Sequence, residues 1–226
     1  MSTLRPGNEW SSRIFLRPIG SPLPLGFIAL GVASVALTGI QLKWLPVSET
    51  HQVALALLAL VGPLQFLAAV FGYFARDSVG GTGMGTLSGA WFFTGAVLVT
   101  GSAGSTSRAL GLVLFFAAAA LLVPAVAASS GKVLAAAVLV VAAVRFALTA
   151  VYEFNAGNTW EQISGWWGLG VCVIALYAAL AFEMEDTRRA TILPTGRRGD
   201  GYRALHGNLA DEVDQVQHEA GVREQL

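Results

Sequence analysis

The stretch ALGLVLFFAAAALLVPAVAASSG, residues 109–131, runs from Arg108 to Lys132 without a charged side chain. A helix needs about 20 mostly apolar residues, at about 1.5 Å each, to cross a hydrocarbon core of about 30 Å. This run meets that length. It is continuously apolar, whereas strands of a membrane barrel are shorter and alternate between polar and apolar faces. Moving outward, residues 18–42, 50–75, 78–107 and 162–182 are also free of charged side chains, and 133–152 is interrupted only by Arg145. Six spans are therefore expected near 22–41, 52–75, 84–101, 108–128, 133–152 and 163–183. The fold class is an all-α integral membrane protein with six transmembrane helices.

The charges agree with that count. The 226 residues include 14 Lys and Arg and 14 Asp and Glu, balancing to zero. Between residues 18 and 182 the charged side chains are Lys43, Glu49, Arg76, Asp77, Arg108, Lys132, Arg145, Glu153 and Glu161. Hydrophobic residues make up 54% of the chain, and the mean hydropathy is +0.62. A soluble enzyme, a disordered chain and a nucleic-acid binder with a basic surface are poor fits, so no nucleic-acid partner is expected. With both termini in the cytoplasm, Lys43 and Arg108 are the cations left outside, and Arg145 lies within the membrane. The expected location is the cell membrane, with lipids around the spans.

Several local patterns bear on function. SPLPLGF, residues 21–27, places Pro22 and Pro24 at a helix start, where missing backbone donors cost little. It reads either as an ordinary helix cap or as an anion entrance built on exposed N–H groups. Gly81, Gly85 and Gly89 form a row suited to close helix packing. GGTGMG lacks the GK[ST] ending of a nucleotide loop, so no ATP is implied.

Gln65, Ser88, Thr94 and Thr149 interrupt the apolar runs, and Trp91, Phe92, Phe93, Trp166 and Trp167 supply bulky walls. Hydrogen bonding within a helix and plain packing are the ordinary roles of such residues. Arg145 is costly in mid-span and must face protein or water. It could attract an anion, pair with Glu153 or Glu161, or organise a subunit contact. Asn155 and Asn158 in the NAGNT connection belong to the same polar region. Cys172 is the only cysteine. With no zinc pattern and no Ser-His-Asp arrangement, neither an enzyme nor a cofactor is expected.

SPLPLGF resembles the NPAPLG-like opening motif of the acetate and succinate uptake transporter (AceTr) family. Residues 155–196, NAGNTWEQISGWWGLGVCVIALYAALAFEMEDTRRATILPTG, are similar to the family's NxAGN, GWxG, AxY and LPxG features in the same order. The resemblance spans roughly residues 21–196. It implies a six-helix transport domain over that range, flanked by cytoplasmic segments at 1–20 and 197–226. It also implies a homohexamer with a separate pathway in each protomer, passing small monocarboxylates, acetate above all.

The family's constriction of Phe, Tyr and Leu falls on Leu30, Ser88 and Val141, and the entrance motif on Ser21, Pro22, Pro24, Leu25 and Gly26. Gln65, Trp91 and Phe92 are candidate pathway walls. Ser88 replaces a tyrosine, Ser21 an asparagine, DSVGG at 77–81 a GNTFG-like segment, and Arg145 an apolar residue. These departures keep open a channel for a neutral solute such as urea or ammonia, and a scaffold that transports nothing.

Overall fold

The computed structural model describes residues 20–188, 190–199 and 201–202. Of the expected cytoplasmic segments 1–20 and 197–226, residues 1–19 and 203–226 lie outside the described residues. Six helices are long and apolar enough to cross a membrane: Leu23–Gln41, Val47–Phe74, Ser78–Thr100, Arg108–Ala128, Val133–Asn155 and Asn158–Arg188, here the first to sixth helices. Among the described residues there is no strand, only an isolated bridge between Lys132 and Arg197. The chain is a multi-pass helical membrane protein. Phe66, Phe74, Phe115, Phe116, Val123 and Val126 stand exposed on the bundle surface, where lipid tails would cover them.

Local chemistry sets the boundaries. The first helix opens on Pro22 with Pro24 in its first turn, where proline's missing N–H is no loss. The second helix is not uniform. Leu57–Val61 forms a π-helical turn directly before Gly62 and Pro63, a local widening that accommodates a proline lacking its N–H. The third helix begins at Ser78, earlier than expected, because the Asp77 side chain accepts from the Gly80 N–H at 3.0 Å and starts the glycine-rich run as helix. The fifth helix ends at Ala156, which is left-handed at φ 51°.

The first, third and fifth helices start at one end of the bundle, and the second, fourth and sixth start at the other. At the end where the first helix starts, the LPTG segment docks on the start of the fifth helix. Leu134 N–H donates to Thr195 O at 3.1 Å, and Arg198 N–H to Gly131 O at 3.1 Å. The segment thus satisfies a donor at the start of the fifth helix that has no partner within that helix. Gly196 makes the turn at φ 65°, where any Cβ would also meet Val133. We call this the tail end, and the opposite one the far end.

Small residues bring the helices together. A Cβ on Gly72 would meet the Gly81 backbone at 2.9 Å, so the second and third helices touch backbone to backbone. The row read from the sequence fades along the helix: Gly81 packs on Tyr73 and Gly85 on Ala69, but Gly89 faces open space. On the interior side, a Cβ on Gly26 would overlap Met84, joining the first helix to the third. One on Gly83 would meet Leu139 at 3.0 Å, joining the third to the fifth.

Candidate functional site

Two openings lie at opposite ends of the same three helices. At the far end a vestibule of about 60 Å³ is lined by Leu37 and Gln41, Thr94 and Leu98, and Thr149 and Glu153, with Thr50, Ser105 and Glu161 at its sides. At the tail end a smaller mouth of about 10 Å³ is lined by Leu23 and Phe27, Gly83 and Met84, and Lys132 and Leu139. One water needs about 10–15 Å³ of such space, so the vestibule has room for a small solute and the mouth for barely a water.

The last lining residues of the mouth and the first of the vestibule are Phe27 and Leu37, Met84 and Thr94, and Leu139 and Thr149. Each pair is ten residues apart, so a barrier of about 15 Å of helix separates the openings. Leu30, Leu87, Trp91 and Phe146 fill it, all buried in one continuous core. The Trp91 and Phe146 rings meet edge to face, with centroids 5.1 Å apart.

This layer also holds unusual polar atoms. Ser34 Oγ on the first helix, Trp91 Nε1 on the third and Arg145 Nε on the fifth are buried without a hydrogen-bond partner, as is Gln65 Oε1 on the second. Arg145 is 1% exposed. Its Nη1 donates to Ser164 O at 2.6 Å and its Nη2 to Gln41 Oε1 at 3.1 Å. Around it, Thr149 Oγ1 donates to Arg145 O at 3.0 Å and shares a 2.7 Å hydrogen bond with Ser164 Oγ. Gln41 Nε2 donates to Ser164 Oγ at 3.3 Å. Gly168 on the sixth helix is the seat of the guanidinium, since a Cβ there would overlap it.

The carboxylates proposed from sequence for Arg145 are engaged or turned elsewhere. Glu153 Oε2 accepts from Ser107 N–H at 2.6 Å at the start of the fourth helix, and Glu161 lines the side of the vestibule. Among the described residues the salt bridges are Lys132 with Asp77 and Arg197 with Glu185, and neither involves Arg145. Asn155 donates to Val151 O within its own helix, and Asn158 accepts from Lys43 at 2.7 Å, so neither asparagine joins the Arg145 cluster.

The other sequence candidates divide in the same way. Leu30 and Ser88 fall in the barrier layer; Ser88 Oγ donates to Gly62 O at 2.9 Å and so points to the second helix. Val141 lies at the same depth and is partly buried against the core. It lines an open surface groove with Trp166, Trp167 and Ile174, and its carbonyl accepts from Trp167 Nε1 at 2.8 Å. Phe146, five residues on, supplies the inward ring that sequence reading missed.

Trp91 lies in the barrier, but Phe92 is 37% exposed and packs over Gly62. Gln65 Nε2 donates to Gly26 O at 3.1 Å, holding the entrance motif from behind. Within that motif Pro24 and Gly26 are buried, Leu25 faces outward, and Ser21 N–H reaches Asp186 at 3.3 Å. The first turn of this helix therefore sits beside the mouth, with Leu23 and Phe27 in its wall. Ser164, which anchors Arg145, and Thr38, whose Oγ1 donates to Gly165 O at 3.2 Å beside the Gly168 seat, were not singled out from the sequence. Polar residues in otherwise apolar helices were the available signal.

Neither a family model nor a curated protein matches this sequence. Among solved structures, that of the bacterial acetate channel SatP matches with a TM-score of 0.70 and 21% sequence identity, over 79% of this chain and 100% of that one. At this identity the match establishes a shared six-helix fold.

Proposed function

We propose that each protomer conducts small monocarboxylates such as acetate through its own interior, between the vestibule and the mouth. The observation that carries this reading is the pair of openings on the same three helices, separated by one short barrier. The likeness to an acetate channel over that channel's whole length supports the same solute class. Leu30 is a barrier residue in this reading. Ser88 is buried against the second helix in place of a tyrosine, and Trp91 against Phe146 supplies the aromatic part of the barrier. Val141 would act from behind, through the position of the fifth helix.

The positive-inside distribution supports a cytoplasmic tail end. Arg76, Lys132, Arg188, Arg197 and Arg198 lie there, against Lys43 and Arg108 at the far end. The vestibule then faces outward in the cell membrane. It carries Glu153 and Glu161, whose charge opposes entry of a bare anion. Entry together with a proton removes that penalty, which favours proton-linked over purely anionic permeation. The homohexamer follows from the resemblance of the motifs and belongs to the same proposal.

Purified protein in liposomes, given labelled acetate under imposed pH and voltage gradients, tests the reading. Acetate uptake driven by an inward proton gradient is the expected result. Flux of urea without acetate would replace it with a neutral-solute channel, and no flux of any small solute would leave a scaffold.

A further inference from the structure

Arg145 is a cation inside the membrane with no carboxylate partner among the described residues, held by two neutral acceptors and with Nε unpaired. A buried cation in low dielectric gains most from an anion, and a guanidinium presents its donors in a fork that matches a carboxylate. Of its acceptors, Ser164 O belongs to helix backbone and cannot leave. Gln41 Oε1 is a side-chain amide oxygen at 3.1 Å, the longer of the two contacts. Gln41 also lines the vestibule, as does Thr149, so the same residue touches both the guanidinium and the space from which a solute arrives.

We infer that Arg145 is an anion-binding station at the floor of the vestibule, occupied at rest by the Gln41 amide oxygen and taken over by a small carboxylate when Gln41 turns away. The amide oxygen stands in for a carboxylate oxygen. Thr149 Oγ1 and Ser164 Oγ supply neighbouring hydroxyls. Deeper in the barrier the unpaired donors Trp91 Nε1 and Ser34 Oγ give the carboxylate its next hydrogen bonds as it loses water. The ligand class is a compact monoanion with acceptor oxygens, such as formate or acetate, since the vestibule has no room for a large one.

As a description of the substrate's route this rests on the transport reading, but binding at Arg145 can be measured without flux. The test compares wild type with Gln41→Glu, which gives Arg145 a permanent internal carboxylate and should fold. Thermal unfolding in detergent is followed while acetate replaces bulky gluconate at constant ionic strength, and acetate flux is measured in liposomes.

The station predicts that acetate raises the wild-type Tm. Gln41→Glu should unfold at a higher temperature, lose the response to acetate and pass acetate about tenfold more slowly or worse. Trp91→Phe keeps the ring against Phe146 and should retain the Tm response while slowing flux. If Gln41→Glu keeps both the response and the flux, or if acetate leaves the wild-type Tm unchanged, the station is wrong and Arg145 only joins three helices. An acetate response that Gln41→Glu abolishes, in a wild-type protein that moves no acetate, would keep the station and overturn the transport reading.

Discussion

Among the described residues two arginines are largely withdrawn from water, Arg145 fully and Arg197 in part, and they are treated differently. Arg197, at the tail end, donates Nε to Glu185 Oε1 at 2.8 Å, adds a second bond through Nη2, and lies 5.9 Å over the Phe182 ring. Glu185 also accepts from Thr191 and Thr195. Arg145, deeper in the bundle, donates among the described residues only to a backbone carbonyl and a side-chain amide oxygen. A cation whose task is to hold a fold is usually given a carboxylate, because the pair offsets part of the desolvation of both. Arg197 fits that pattern and Arg145 does not, which is the physical ground for reading the first as a fastener and the second as a place for a missing anion.

The most disruptive way to break this comparison is Gly168→Ala, whose Cβ would take the seat of the Arg145 guanidinium. We expect a loss of about 3–5 kcal/mol, as for a buried charge losing its setting, seen as a collapse of the monodisperse peak in size-exclusion chromatography. Next is Glu185→Ala, which strands Arg197 beside Phe182. It should cost about 3 kcal/mol by thermal unfolding, while acetate flux per folded molecule stays near wild type.

A smaller effect sharpens the barrier itself. Phe146→Ala should raise acetate flux several-fold, whereas Val141→Ala, on the outer groove, should change it by less than about twofold. Equal effects in stopped-flow uptake would restore Val141 to the constriction. The smallest effect is expected for Lys132→Ala. Lys132 pairs with Asp77 at 2.6 Å at the rim of the mouth and is partly exposed. Its loss should cost no more than about 1 kcal/mol and make flux less sensitive to salt.

The spans were legible because length and charge alone define them. The first, fourth and fifth helices begin and end within three residues of the sequence estimate; the second begins five residues early, the sixth runs five residues further at each end, and the third begins six residues early because Asp77 caps a glycine run that reads as a loop. The candidate site was legible only in part. Leu30, Trp91 and Arg145 fall in the barrier layer, but Val141 lines the outer groove, Phe92 turns away, and Phe146, Thr38 and Ser164 were missed. In a soluble helix an apolar stripe marks the inward face. The fifth helix, VLAAAVLVVAAVRFALTAVYEFN, is apolar nearly all round because lipid and protein interior ask for the same residues, so nothing in the string separates Val141 from Phe146.

By itself the sequence determined that this chain crosses a membrane six times and carries one arginine where an arginine is costly. Hydrocarbon admits no other use for runs of that length, and a charge among them cannot be hidden from the reader. Tertiary structure alone decided what surrounds that arginine: an amide and a carbonyl from two other helices, a glycine seat on one of them, and among the described residues no carboxylate. Those neighbours are 19 and 104 residues away along the chain, and only the rotation and depth of packed helices bring them together.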